Sequence, residues 1–303
     1  MNWLRTQLWR RCISSRVPAV SPAKTATTTQ SVNKPERNKD ASPAKRKLDS
    51  LASASSSTLG LSLLPVSRLL KKSFNLIASE ESAVEKPRSR PFVVSIEGNI
   101  GSGKSTFLQH FSAMPEVETH QEPIDLWTNL KGHNLLGMLY QDPKRWSFLF
   151  QSYVQLTRLG IHLQPSSAPV KLIERSLQNN RYCFLEIGRE CGHLQDAEYS
   201  VLCKYYELVE SQLDIGIDLI VYLRTSPEVV HARMLKRGRT EEANIPLEYL
   251  KKVHKYYDRW LLHRQPRPPP APVLVIDADQ ALEDVKRQFD LKKQIIMGQE
   301  AAV

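Results

Sequence analysis

Glu97 to Thr106 read "EGNIGSGKST", between the apolar run "PFVVSI" and the segment "FLQHF". Gly98, Asn99, Ile100, Gly101, Ser102, Gly103, Lys104 and Ser105 satisfy G-x-x-x-x-G-K-[S/T] at every fixed position. A strand-like run before this pattern and a helical one after it form the context that a phosphate-binding loop requires. The glycines let the main chain wrap so that successive N–H groups point inward at phosphate oxygens. The following helix adds the positive end of its dipole. Lys104 supplies a mobile charge for the outer phosphates, and the Ser105 hydroxyl, next to Thr106, can ligate Mg²⁺. Such a loop implies a nucleoside triphosphate without naming the reaction.

Outward from the loop, "VETHQE" (117–122), "VKLIER" (170–175), "DLIVYL" (218–223) and "PVLVID" (272–277) repeat the buried-strand character of "FVVSIE". Helical patterns lie between them. In "SVLCKYYELVESQL", Val201, Leu202, Tyr205, Leu208, Val209 and Gln212 recur at helical spacing, as do Leu247, Leu250, Val253, Tyr256 and Trp260 in "PLEYLKKVHKYYDRWLL". Strands alternating with helices predict an α/β protein, a five-stranded parallel sheet with helices on both faces.

The chain has 303 residues, 24% charged and 41% hydrophobic, with a formal net charge of +10. Residues 1–90 hold 17 Lys and Arg against 6 Asp and Glu, whereas residues 91–303 hold 25 against 26. The basic excess therefore belongs to the leader, which argues against nucleic-acid binding by the nearly neutral body. Residues 1–35 carry Arg5, Arg10, Arg11, Arg16, Lys24 and Lys34 and no acid, with Trp3, Leu4, Leu8, Trp9 and Ile13 interleaved. That is the composition of a mitochondrial transit peptide. "PAKRKLD" (43–49) is a basic cluster of the nuclear-localisation kind, whose plainer reading is a solvated charge run. Residues 36–90 read as a linker rich in Ser, Lys and Pro, and 91–303 as the folded domain. No apolar stretch approaches the ~20 residues of a membrane span. Cys12, Cys183, Cys191 and Cys203 form no C-x-x-C pair and read as reduced thiols.

Three segments narrow the chemistry. Glu122, in "HQEPIDLW", precedes Pro123 at the end of the second strand, at the sheet edge where ligands bind, and is a candidate base for a substrate hydroxyl. Glu174 and Arg175, in "IERS", end the third strand; Glu174 is placed to hold Mg²⁺, and Arg175 to bind phosphate or steady Glu122. Arg233, Arg237 and Arg239, in "ARMLKRGRTEE", read as an Arg-rich lid that offsets charge on a transferring phosphoryl group.

These motifs, together with "WSFLFQSYVQLTRL", "RYCFLE", "DLIVYLRTSPE" and "IPLEYL", resemble the deoxynucleoside kinase family over about residues 91–280. The nearest likeness is to its mitochondrial thymidine kinase and insect multisubstrate branch. The resemblance implies the P-loop kinase fold, ATP and Mg²⁺, phosphorylation of a deoxynucleoside 5′-hydroxyl in nucleotide salvage, and a homodimer. It implies Glu122 as general base with Arg175 beside the 5′-oxygen, Tyr140 and Glu242 on the sugar 3′-hydroxyl, and Gln151 on the base edge. Trp127 and Phe184 become aromatic walls with Phe150 and Val154 nearby. Arg233 falls near the adenine of ATP. Thymidine-preferring members carry an apolar and a small residue at the positions matched by Arg158 and Asn180; members preferring deoxycytidine and purines carry Arg and Asp. Here an Arg158 donor can meet the Asn180 amide oxygen, which predicts a broad kinase shifted toward purine or cytosine deoxynucleosides. The competing readings are a non-catalytic relative and a nucleoside monophosphate kinase. A GTPase lacks its N-K-x-D motif at "YLRTSPE".

Overall fold

The computed structural model describes residues 90–301. The expected transit peptide, the basic cluster at 43–49 and all of the expected linker except Arg90 lie outside the described residues. Arg90 donates to both carboxylate oxygens of Asp218, at 2.7 and 2.9 Å, and Val93 N donates to the same carboxylate at 2.8 Å.

The five expected strands form one sheet: β1 (Phe92–Glu97), β2 (Val117–His120), β3 (Val170–Glu174), β4 (Leu219–Arg224) and β5 (Val273–Asp277). Their order is β2-β3-β1-β4-β5 and every neighbouring pair is parallel. All C-terminal strand ends therefore lie along one edge, and the chain changes direction across the sheet at β1, where ligands of open α/β sheets bind. The helices are α1 (Lys104–Phe111), α2 (Ile124–Thr128), α3 (Leu135–Gln141), α4 (Pro143–Leu163), α5 (Leu177–Asn179), α6 (Leu185–Glu190), α7 (Asp196–Gln212), α8 (Pro227–Arg237), α9 (Leu247–Tyr257), α10 (Leu282–Leu291) and α11 (Lys293–Ile296). A π turn, Asn180–Phe184, joins α5 to α6.

Alternation along β4 shows both faces covered. Leu219, Val221 and Leu223 pack with Phe107 and Phe111 of α1 and Val285 and Phe289 of α10. Ile220 and Tyr222 pack with Tyr206 of α7 and Val253, Tyr257 and Trp260 of the α9 region. Lys171 interrupts the apolar run of β3 for a reason. Its buried Nζ donates to the carbonyls of Ile161 (2.6 Å), His162 (3.3 Å) and Gln164 (2.6 Å). Those are groups a helix C-terminus leaves open, so the lysine ties the end of α4 to the sheet.

The two helical stripes behave differently. Leu250, Val253, Tyr256 and Trp260 are buried as expected. Of the other stripe, Leu202 is buried, but Val201, Tyr205 and Leu208 face outward, Leu208 with 62% of its surface exposed. Leu149 and Leu156 of α4 are exposed as well. Cys183 and Cys203 are free and buried. Among the described residues no helix is long and apolar enough to cross a membrane.

Candidate active site

The loop after β1 adopts the backbone its glycines predict. Gly98, Gly101 and Gly103 have φ of 148°, 81° and 95°. A Cβ at Gly98 would stand 2.5 Å from Ser102 Oγ and 2.8 Å from the Leu223 carbonyl, so this position admits no side chain. Asn99 is a brace: its Nδ2 donates to the Leu250 carbonyl at 2.8 Å, its Oδ1 accepts from Ile100 N, and its carbonyl accepts from Lys104 Nζ at 2.8 Å. Lys104 is buried, and burial first, then the nearby Arg175, pulls its pKa down to about 7. Ser105 Oγ donates to Glu174 Oε2 at 3.1 Å, and Lys104 Nζ stands 3.9 Å from the same carboxylate. A hydroxyl and a carboxylate side by side at the mouth of a phosphate loop are the hard oxygen donors that suit Mg²⁺.

Across the cavity, Glu122 follows the end of β2. Arg175 Nη1 donates to its Oε2, and Arg158 Nη2 donates to its Oε1 at 2.6 Å. All three side chains are almost fully buried. Burial pushes the Glu122 pKa up, but Arg175, Arg158 and Lys104 outweigh it and hold the carboxyl at about 2. Arg175 has φ of 59°, which ends β3 one residue before the expected strand did. That turn sends Arg175 to Glu122 while Glu174 stays with Ser105.

Behind Arg175 lies a network that the sequence reading missed. Arg175 Nε donates to Tyr257 Oη at 3.1 Å, and Tyr257 Oη to Glu97 Oε2 at 3.3 Å. Glu97 Oε1 accepts from Ser95 Oγ, Ser176 N and Ser176 Oγ at 2.7, 2.9 and 2.7 Å. Glu97 is fully buried, and burial raises its pKa. The available signal was an acid closing an otherwise apolar strand.

Two adjoining cavities complete the site. One is lined by Glu122, Trp127, Tyr140, Phe150, Gln151, Val154, Arg158, Arg175, Phe184 and Glu242, together with Tyr249 and Leu139, which the sequence reading did not single out. Its walls are aromatic, with Phe150 edge-on to Trp127. The other runs from Gly101, Ser102, Gly103, Lys104, Ser105 and Thr106 past Arg233, Arg237 and Arg239 to Ala278, Leu282, Val285 and Phe289. Both cavities touch Lys104, Ser105, Glu174, Arg237 and Arg239. Arg233 donates to the Ala278 and Gln280 carbonyls. Arg237 and Arg239 both donate to Glu242, so the lid arginines and the expected sugar ligand are joined here.

The expected Arg158–Asn180 pair is not formed. Arg158 Nη1 donates to Asn179 Oδ1 (3.2 Å) and to the Ser176 carbonyl (3.3 Å), and Asn180 Nδ2 donates to Gln151 Oε1 at 2.6 Å. The π turn starting at Asn180 separates neighbouring asparagines that plain sequence order does not distinguish.

A triphosphate loop, an oxygen-donor pair beside it and a carboxylate facing it across an aromatic-walled cavity define a phosphate-loop kinase of small hydroxyl-bearing molecules. The deoxynucleoside kinase family model matches residues 94–297. The chain is 41% identical to human mitochondrial thymidine kinase 2 over 216 residues, covering 71% of this chain and 82% of that one. It is 36% identical to Xenopus laevis deoxycytidine kinase 1 over 225 residues (64% and 85%) and 35% identical to mouse deoxycytidine kinase over 221 residues (63% and 85%). The chain belongs to the deoxynucleoside kinase family, the ATP-dependent enzymes that phosphorylate deoxynucleosides in nucleotide salvage.

Proposed function

We propose that the cavity beneath α3 and α4 seats a deoxynucleoside with its 5′-hydroxyl at Glu122, and that the loop at 98–105 presents the γ-phosphoryl group of ATP to it in line. The observation that carries this reading is Glu122, ionised and fixed between two arginines, in the cavity that adjoins the phosphate loop. Glu122 takes the hydroxyl proton. Arg175 steadies Glu122, and Lys104 with Arg237 and Arg239 offsets charge on the moving phosphoryl group. Ser105 and Glu174 would hold Mg²⁺, which supplies further charge neutralisation when bound. Tyr140 and Glu242 bind the sugar 3′-hydroxyl, and Trp127 and Phe184 stack on the base.

Base choice rests on Gln151. A free amide can turn over and serve either kind of base edge. Here Asn180 Nδ2 donates to Gln151 Oε1, and a joint turn of the two amides keeps a bond between them. Adenine and cytosine share an amino donor beside a ring acceptor, whereas thymine and guanine present a carbonyl beside a ring N–H. We infer a preference for deoxyadenosine and deoxycytidine over thymidine, because buried Arg158 and Asn180 stand where thymidine-preferring members carry an apolar and a small residue. The test is the purified chain with ATP and Mg²⁺ against the four natural deoxynucleosides. No phosphorylation of any of them defeats the function, and thymidine equal to or better than deoxyadenosine and deoxycytidine in kcat/KM defeats the preference.

A homodimer is part of the same reading. Val201, Tyr205 and Leu208 of α7, together with Leu149 and Leu156 of α4, form the exposed apolar stripe that a second copy would cover. A Tyr205→Glu, Leu208→Glu variant should sediment as a monomer. The Arg-rich first 35 residues and the likeness to a mitochondrial relative support import into mitochondria. Imaging the full chain with and without residues 1–35 tests this, and nuclear signal would favour the cluster at 43–49.

A further inference from the structure

Arg175 is held at every corner of its guanidinium. Nη1 grips Glu122 Oε2, Nη2 donates to the Gly98 carbonyl at 3.2 Å, and Nε donates to Tyr257 Oη at 3.1 Å. Tyr257 comes from the end of α9 and is fully buried. Its ring stacks on Tyr222 of β4 with centroids 5.7 Å apart, and its hydroxyl donates to Glu97 Oε2 at 3.3 Å. Burial pushes the phenol well above its ordinary pKa, so it keeps the proton that it donates. Glu97 also takes the main chain just beyond Arg175, through Ser176 N at 2.9 Å and Ser176 Oγ at 2.7 Å, while Arg175 N donates to the Ile96 carbonyl at 3.0 Å. The left-handed residue is therefore fastened to the end of β1 twice, by its backbone and, through Tyr257, by its side chain. Neither Tyr257 nor Glu97 lines either cavity.

We propose that Tyr257, anchored on Glu97, is a positioning residue for Arg175 and through it for Glu122, setting the rate of phosphoryl transfer without touching either substrate. The inference rests on Glu122 being the base. A planar group held only at Nη1 and Nη2 can still rock about the line through those two atoms. Nε lies off that line, so the third bond fixes the plane, and with it the direction of the N–H that meets Glu122. The last torsion of a glutamate side chain is soft, so the carboxylate follows that N–H. Misplacing a reacting group by about 1 Å is worth on the order of 10²-fold in rate. The same fastening joins the base to the phosphate loop, since Gly98 follows Glu97 and its carbonyl takes Nη2. The cradle for ATP and the base for the hydroxyl thus share one rigid frame.

The experiment uses the full chain with ATP and Mg²⁺. Single-turnover kinetics with enzyme in excess read the transfer step, so slow variants stay on scale and product release does not mask the chemistry. Wild type, Tyr257→Phe, Glu122→Gln and the double variant are compared. Tyr257→Phe keeps the ring on Tyr222 and removes only the hydroxyl. It should slow transfer by about 10–10²-fold for deoxyadenosine and deoxycytidine alike, with the dissociation constants of ATP and nucleoside unchanged. In the Glu122→Gln background the same change should have almost no effect, because no base is left to position. A loss of equal size in both backgrounds overturns the proposal, as does a wild-type transfer rate in Tyr257→Phe. Weaker binding of ATP or nucleoside at an unchanged transfer rate also overturns it and makes Tyr257 a support of the cavity wall. A near-wild-type rate in Glu122→Gln alone instead overturns the assignment of the base. If Tyr257→Phe does not fold, Glu97→Gln reads the same link. Its amide presents an NH₂ group either to the Tyr257 hydroxyl or to the Ser176 donors, so one of the two fastenings must part. Transfer should slow by a comparable factor there, and an unchanged rate sinks the idea.

Discussion

Replacing Glu122 by Gln separates two things that this carboxylate does. Each pKa unit corresponds to about 1.4 kcal/mol. A carboxyl lowered from 4.5 to about 2 on folding therefore adds about 3 kcal/mol of stability at neutral pH. Breaking a buried ion pair at one partner costs about 3–5 kcal/mol, and here the loss leaves Arg158 and Arg175 buried without their counter-charge. The two routes agree, so Glu122→Gln should unfold about 3 kcal/mol more easily in urea at pH 7. The sign with pH follows from the depressed value. The contribution is present above the unfolded carboxyl's pKa and is lost as pH falls toward 2, so the gap should narrow by roughly 1 kcal/mol by pH 4. In the same preparations kcat should fall about 10²–10⁴-fold, with ATP affinity nearly unchanged because Glu122 is outside the phosphate loop. A near-wild-type kcat refutes the base assignment. Wild-type stability at pH 7, or a gap that ignores pH, refutes the electrostatic account of the grip.

Three further outcomes are expected. Lys104, with its pKa near 7, is cationic below that value and loses charge above it, so ATP binding should draw in a proton increasingly as pH rises past 7. Calorimetry in buffers of different ionisation enthalpy reads this directly, and no uptake at about pH 8 contradicts the burial argument. Gly98→Ala should abolish ATP binding because its Cβ meets Ser102 and the Leu223 carbonyl, whereas Gly103→Ala meets nothing within 4 Å and bears only a backbone cost of about 1–2 kcal/mol; equal ATP dissociation constants for the two variants would contradict this. Lys171→Met leaves the Ile161 and Gln164 carbonyls without their donor and should cost about 2–4 kcal/mol in urea unfolding; an unchanged midpoint would show that those groups find other partners.

The fold was legible because its signals are local. Five apolar runs and one glycine pattern determine the strands and the loop, and boundaries moved by two residues at the end of β2 and by one at β3, β4 and β5. The site was legible in part. Glu122, Glu174 and Arg175 stand at strand ends, which parallel topology brings to one edge. Side-chain partners were not legible, because they depend on angular detail. Whether Asn179 or Asn180 meets Arg158 is decided by a π turn that no spacing rule announces. Tyr257 lies in the helical segment but outside the stripe read from it, and its hydroxyl acquires meaning only once Glu97 and Arg175 are placed around it. The stripe at Val201, Tyr205 and Leu208 was correctly read as helical but faces outward, because periodicity reports that a face is apolar and not what covers it.

Arg175 holds a left-handed backbone that glycine would adopt freely. Non-glycine residues in that region bear a burden of order 1–3 kcal/mol. Arg175→Gly would relieve it and in the same step delete the fork on Glu122. Losing the buried pair costs about 3–5 kcal/mol, more than the turn would return, so a selection for heat resistance would keep the same arginine that the chemistry needs.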